Sequence, residues 1–450
     1  MNVGVYTAAS LRAATWDTAR GTGSVSVLAP HTGPMPRLDP FFAEWSARAP
    51  GQRRSLKRAA ALLQELGLDR PRVPVLGVVG SKGKGTTATY ASAALSAAAV
   101  GNVLVTGPSF RSYRERVRHD GTSVSEEELA GLASELDRAR LSLPPVEEFG
   151  GYLAPSGMFL LAGLLHARNT GARVCVLEAG MGGHRDELRL IGPQVVAMGK
   201  VFGEHLGVLG DTVPEIAREK ALVAGVHTQA LVSLPQTSEV EDAVGDALAE
   251  ATGDVVRAET VEPDTEGVWP PPDLRPPGLS AASGVLGVAA ADRMLGLMGR
   301  QSAPEDRLIR VLGGVRLPAR LSRHAVPGHT GEIIVDSAIN GEGVAAALAH
   351  ARGLWGGVDH VLLCLPDHKD VAGAEQALAG IPVTAVRLPE AHLRFDHALP
   401  SQWSRIDADA VTPGSIAALG DRVLALGTVY FTGRVLDAVE AVTDTLFSPS

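Results

Sequence analysis

The sequence predicts an α/β protein of two units, a larger one with a mostly parallel sheet and a smaller C-terminal α/β unit of Rossmann-like type. Three observations predict it. Short β-branched runs alternate with helical stretches along most of the chain, which is the pattern of parallel strands joined by crossover helices. One such run, residues 73–79, passes through Gly80, Gly83 and Gly85 directly into an Ala-rich helix over 86–99, an order that suits phosphate binding. The length of 450 residues exceeds one ordinary core at about 150 residues per domain.

In chain order, residues 1–36 are rich in Ala, Ser, Thr and Gly with Asp17 as their only acid, and they read as a flexible N-terminal extension. Residues 53–66 place apolar side chains at helical spacing before Gly67, which predicts an amphipathic helix ahead of the first strand. Further strands are expected at 103–105, 174–177 and 195–198, and helices at 125–139 and 158–167. Residues 261–278 are rich in proline and acids and read as a surface excursion, because an Ala-rich helix follows. The larger domain is thus expected over 37–299, a linker over 300–317, and the smaller domain over 318–450. Its strands are predicted at 332–336, 360–365, 382–387 and 422–427.

Composition narrows the function classes. A net charge of −9 argues against nucleic acid and membrane partners and leaves a small molecule. Cys175 and Cys364 are the only cysteines, so neither a disulfide framework nor a structural zinc site is indicated, and a reducing cytoplasm fits. No apolar run approaches the ~18 residues that span a bilayer, and no signal core follows the N-terminus. A monomer or small homo-oligomer is expected.

The segment Gly80-Ser81-Lys82-Gly83-Lys84-Gly85-Thr86 carries the chemistry. Glycines let backbone N–H groups approach phosphate oxygens, Lys84 reaches the transferred phosphate, and the Thr86 hydroxyl suits Mg2+. These roles make the larger unit a P-loop-type central ATPase domain. The loop is not a strict Walker A, since Val78 stands where its first glycine belongs, and a glycine-rich turn without a ligand is the alternative reading.

The residues 75–90, VLGVVGSKGKGTTATY, resemble the phosphate loop of the Mur ligase superfamily in its folylpolyglutamate and dihydrofolate synthase branch. The resemblance continues through Thr106-Gly107-Pro108, the run 113–118 (YRERVR), residues 177–183 (LEAGMGG) with Asp186, and the block from Glu204-His205 through Gly210-Asp211-Thr212 to Glu219-Lys220-Ala221. In the second unit it includes 317–321, 335–340, Lys369-Asp370 and 427–430. It implies an ATP- and Mg2+-dependent ligase that activates a carboxylate as an acyl phosphate and joins it to an amine such as an amino acid. It also implies roles: Thr86, Glu178 and His205 as metal ligands, Lys84, His205 and Lys220 as catalytic groups, Lys220 as a lysine the family carries as a carbamate, and Arg320, Asp336 and Asn340 as ATP contacts beside Gly80 to Thr86.

Departures from the family pattern are local. Ser81-Lys82 replaces Thr-Asn, Glu204 replaces an Asp, and Ile339 stands where the family has a His. A His-Gln segment is missing at 278–283, Pro155 to Met158 replaces a Phe-Glu pair, and Gly107-Pro108-Ser109 replaces Ser-Pro-His. A non-folate small acid in a specialised pathway is therefore expected as substrate. A folylpolyglutamate or dihydrofolate synthase proper and a nucleotide-binding pseudoenzyme are the alternatives.

Overall fold

The computed structural model of the chain describes residues 39–69, 73–390 and 392–449; the extension expected over 1–36 lies outside them. The first sheet contains β1 Val75–Val79, β2 Asn102–Val105, β3 Val117–His119, β4 Thr122–Ser123, β5 Val174–Glu178, β6 Val195–Met198, β7 Ala230–Ser233 and β8 Ala258–Thr260, ordered β4-β3-β2-β5-β1-β6-β7-β8. From β2 to β8 along that order all pairings are parallel, and β3 and β4 add an antiparallel edge.

The central strand shows why the sheet forms. Val75 and Val79 enter one core cluster while Leu76 and Val78 enter the other, so alternate side chains are buried on both faces, as a covered parallel sheet requires. The helix Lys84–Ala97 lies on one face and packs against Ala281–Leu297. Gly287 permits this approach, because a Cβ there would stand 2.4 Å from the Thr87 carbonyl oxygen.

The second sheet holds β9 Ser322–Ala325, β10 Glu332–Asp336, β11 His360–Cys364, β12 Val383–Arg387, β13 Ser404–Asp407 and β14 Arg422–Gly427, ordered β13-β12-β11-β14-β10-β9 with β9 antiparallel. The helix Gly341–Trp355 covers one face through Val344, Ala347 and Leu348, and Val429–Ala438 covers the other through Phe431, Val435 and Leu436.

The α/β class with a mostly parallel larger sheet and a smaller second sheet holds as predicted. Three details differ. The first helix after β1 begins at Lys84 rather than Thr86, since Gly83 takes φ +77° and turns the chain into the helix two residues earlier. The excursion over 261–278 is anchored: Trp269 and Leu274 pack on the core, and the Tyr90 hydroxyl donates to the Leu274 carbonyl at 3.0 Å. After Ala441 the chain leaves the second sheet, and Thr445 bridges Thr122 while Leu446 and Phe447 join the core of the first unit. No helix among the described residues is long and apolar enough to cross a membrane.

Candidate active site

Strand order places the candidate site. β1 lies between β5 and β6, so the loop Gly80 to Gly83 at its carboxyl end is flanked by Glu178, the last residue of β5, and by the segment from Gly199 to His205 after β6. Ligands of open α/β sheets bind at this carboxyl edge. Gly80 at φ +140° lies against Gly199, where an added Cβ would stand 3.0 Å from backbone atoms. The Lys84 ammonium folds over the loop and donates to the Gly80 and Ser81 carbonyls at 3.1 and 3.5 Å.

Thr86 is buried, and its hydroxyl oxygen has no hydrogen-bond partner. A buried hydroxyl without a partner costs free energy, and here it sits on the first turn of the helix behind the loop. One carboxylate oxygen of Glu178 accepts from the Gly107 N–H at 2.9 Å. Burial pushes the Glu178 carboxyl up, opposed by Lys84, the Gly107 N–H, Arg320 and Arg116. Hard oxygen donors of this kind fit Mg2+, which takes few protein ligands and keeps several waters or phosphate oxygens. No cluster of three or more His, Cys, Asp or Glu side chains suited to a metal occurs among the described residues.

His205 lies on the other flank in an exposed loop at φ +49°, an uncommon conformation for a residue with a Cβ. Burial of its ring lowers its pKa, and Lys220, Lys84 and Lys369 act in the same direction against Glu204. Lys220 is fully buried, donates to the Gly80 and Met181 carbonyls at 3.1 and 2.9 Å, and pairs with Glu204 at 2.9 Å. Three acceptors therefore meet the three hydrogens of its ammonium. Ser81 joins its hydroxyl to the Phe202 backbone, and Lys82 lies 5.8 Å from the Phe202 ring.

From the second unit, Arg320 lies between Ala319 at φ +51° and Leu321 at φ +53°, two left-handed non-glycine residues in one turn. Such strain persists where surrounding contacts hold it: Asp336 accepts from the Leu321 N–H at 2.9 Å, and the Ser322 hydroxyl accepts from the Ala319 N–H at 3.0 Å. Burial raises the Asp336 pKa, opposed first by Arg320 and more weakly by Lys82. Asn340 caps the helix Gly341–Trp355, its side-chain oxygen accepting from the Gly343 N–H at 3.1 Å. Ile339 packs against the core of the second unit. Ser283 faces the loop, its hydroxyl 2.2 Å from where a Cβ on Gly83 would stand.

The sequence-derived residues are thus brought to one edge. Lys84 is within electrostatic reach of Glu178, His205 and Lys220, and Arg320 reaches both Glu178 and Asp336. Asn340 is committed to its cap. Three groups facing this edge were not singled out by chemistry in the sequence: Glu204 as the partner of Lys220, Lys369 as a cation facing Lys82 and His205, and Arg116 beside Glu178. For each the only available signal was its place in a resembling segment.

No family model matches the chain. It is 30% identical over 407 residues to a probable bifunctional folylpolyglutamate synthase/dihydropteroate synthase of Haloferax volcanii, covering 82% of this chain and 46% of that protein. It is 26% identical over 192 residues to a dihydrofolate synthase/folylpolyglutamate synthase of Bacillus subtilis, covering 42% and 44%. The chain therefore spans less than half the length of these curated relatives. Among solved structures, an FPGS–AMPPCP complex matches with a TM-score of 0.71 at 20% identity, over 87% of this chain and 97% of that one. The folylpolyglutamate synthase of Thermotoga maritima matches with a TM-score of 0.71 at 18% identity, over 86% and 94%. At these identities the solved structures establish the fold alone, and the sequence relatives carry the assignment: the chain belongs to the folylpolyglutamate synthase branch of the Mur ligase superfamily.

Proposed function

We propose that the chain is an ATP-dependent ligase that converts a carboxylate into an acyl phosphate and joins it to an amine. The observation that carries this reading is the buried, partnerless Thr86 hydroxyl at the phosphate loop, with Glu178 and Lys84 beside it. A site that leaves these groups for a ligand costs stability without one. Homologues named for folylpolyglutamate synthesis support the reaction class.

In the proposed reaction a carboxylate oxygen of the acid attacks the γ-phosphorus of ATP, the bond to the β-phosphate bridging oxygen breaks, and ADP leaves. The amine then attacks the acyl carbon, inorganic phosphate leaves, and the amine loses a proton. Backbone N–H groups of Gly80 to Gly85 and the Ser81 and Lys82 side chains would surround the phosphates, while Lys84 would leave the loop carbonyls to offset charge on the transferred group. Thr86, Glu178 and His205 would hold Mg2+, which supplies charge neutralisation between the phosphates and the acid. Arg320 and Asp336 would meet the nucleotide from the second unit, with Asn340 shaping the helix start behind them, so positioning depends on both units together. Lys220, through its hydrogen bonds to the Gly80 and Met181 carbonyls and its pair with Glu204, would hold the phosphate loop and the segment after β6 together.

Two substrate readings stand. Relatives named folylpolyglutamate synthase favour a folate-type acid and glutamate. Replacement of the family His by Ile339, an apolar side chain half-buried against the core of the second unit, favours a different small acid. Release of ADP and phosphate by the purified protein with Mg-ATP decides between them. Turnover with dihydropteroate or a reduced folate plus glutamate supports the first, turnover only with other acids supports the second, and no ATP turnover with any acid overturns the ligase reading.

A further inference from the structure

Four arginines, at 111, 114, 116 and 118, occupy the segment that leads into β3. Three are paired. Arg111 meets Asp437 at 2.6 Å, Arg114 meets Asp444 at 3.2 Å, and Arg118 donates to the Asp444 and Thr443 carbonyls at 2.6 and 2.8 Å. The guanidinium of Arg116 makes no hydrogen bond or ion pair with any described residue, and its Nε is buried without a partner. It rests instead on the ring of Phe159, 4.7 Å from the centroid.

This guanidinium adjoins the candidate site. Its Nη1 lies 3.0 Å from where a Cβ would stand on Gly107, and the Gly107 N–H is the donor that holds Glu178. Three cations, Lys84, Arg320 and Arg116, act on that one carboxylate, so the local charge is unbalanced toward positive. Strand order separates their places: Glu178 ends β5, with β1 and the phosphate loop on one side, and β2 followed by β3, which Arg116 enters, on the other. A partly desolvated guanidinium on an aromatic face, without an anion of its own, is suited to a planar oxyanion that it can grip with two parallel N–H bonds.

We propose that Arg116 binds the carboxylate of the acid substrate and holds it across Glu178 from the phosphate loop. The assignment rests on the ligase reading above. It names a carboxylate rather than a phosphate because Lys84 and the loop N–H groups already lie on the β1 side, where the nucleotide phosphates would sit. The competing source of the same chemistry is the carboxylate of the amino acid substrate.

The test compares wild type, Arg116→Lys and Arg116→Met in steady-state ADP release with Mg-ATP, dihydropteroate or tetrahydrofolate, and glutamate. Loss of a two-pronged charged hydrogen bond should raise the KM of the acid about 10- to 100-fold in Arg116→Met, with a smaller rise in Arg116→Lys. The KM values of Mg-ATP and glutamate should stay within about twofold. The ligand-free Arg116→Met protein should melt within about 2 °C of wild type, because the half-buried guanidinium makes no hydrogen bond that the change would break. A rise confined to glutamate or Mg-ATP, a loss of kcat with unchanged acid KM, or a melting temperature lowered beyond that range would overturn the assignment. Inactive wild type with both acids would sink the folate reading alone, and the acid that does support ADP release would then take their place in the same KM comparison.

Discussion

Lys84 makes its hydrogen bonds only to carbonyls of its own loop, so its removal touches little of the fold. Lys84→Ala should lower ATP turnover at least about 100-fold while shifting ligand-free stability by less than about 1 kcal/mol; Glu178→Ala should lower turnover to a similar extent. ADP release and thermal melts check both, and retained turnover in either variant would mean that the phosphate site lies elsewhere. A second residue-scale prediction concerns Glu187. It lies with Asp186 in a buried acidic pair facing one cation, Arg54, at 3.3 and 3.7 Å, and one of its oxygens has no partner. Burial, reinforced by Asp186 and opposed by Arg54, pushes the Glu187 carboxyl up from 4.5 to about 7. Between those values the folded chain keeps a proton that the unfolded chain has released, so stability is highest below about 4.5 and falls as pH rises toward 7. Glu187→Gln should flatten melting temperature against pH and exceed wild type above pH 7; curves that run parallel from pH 5 to 8 would assign the dependence to other groups.

At the scale of elements, β2 is pinned to the helix behind it by Asn102, which is fully buried. Its amide nitrogen has two hydrogens to donate and four acceptors within reach, the Ser92 and Val100 carbonyls at 3.2 Å, the Ser96 hydroxyl at 2.9 Å and Asp120 at 3.0 Å, and its oxygen accepts from the Ser92 hydroxyl. Asn102→Ala strands several buried partners and should cost about 2–4 kcal/mol in urea denaturation; a loss below about 1 kcal/mol would show that water replaces the amide. The same contrast of local and distant causes explains what the sequence made legible. β1, β5, β6, β10, β11 and β14 were readable because their apolar runs are buried by the sheet itself. β8, β9 and β13 were not, since their residues are largely part-buried or exposed and only pairing with a distant neighbour makes them strands. In the site, the phosphate loop was legible because glycine, lysine and threonine there are contiguous. The pairing of Lys220 with Glu204 was not, because one lies in a helix and the other in the loop before it, and only the fold brings the two side chains together. Arg116 looked like its arginine neighbours until packing sorted which of them has a partner.

For the whole molecule, the C-terminal segment joins the two units. Arg111 reaches Asp437 and the Ala441 carbonyl, the Thr443 hydroxyl donates to Glu115 at 2.8 Å, the Ser123 N–H donates to the Asp444 carbonyl at 2.8 Å, and the Leu446 N–H donates to the Gly121 carbonyl at 2.9 Å. Leu446 also lines a cavity of about 60 Å³ with Thr86, Gly107 and Arg320, so the strap ends at the candidate site. Phe447 is its anchor: it is 2% exposed and packs against Gly121, where an added Cβ would stand 3.0 Å from its ring. Phe447→Ala removes a buried aromatic ring and should cost about 3–4 kcal/mol. Because the strap begins on the second sheet and is seated in the core of the first, wild-type unfolding is expected as one transition, followed in urea by fluorescence and circular dichroism together. Phe447→Ala is expected to separate it into two, the first unit unfolding at lower urea, while the second retains its own covered sheet. A single transition in the variant at an unchanged midpoint would mean that contacts near Arg320, rather than the C-terminal strap, couple the two units.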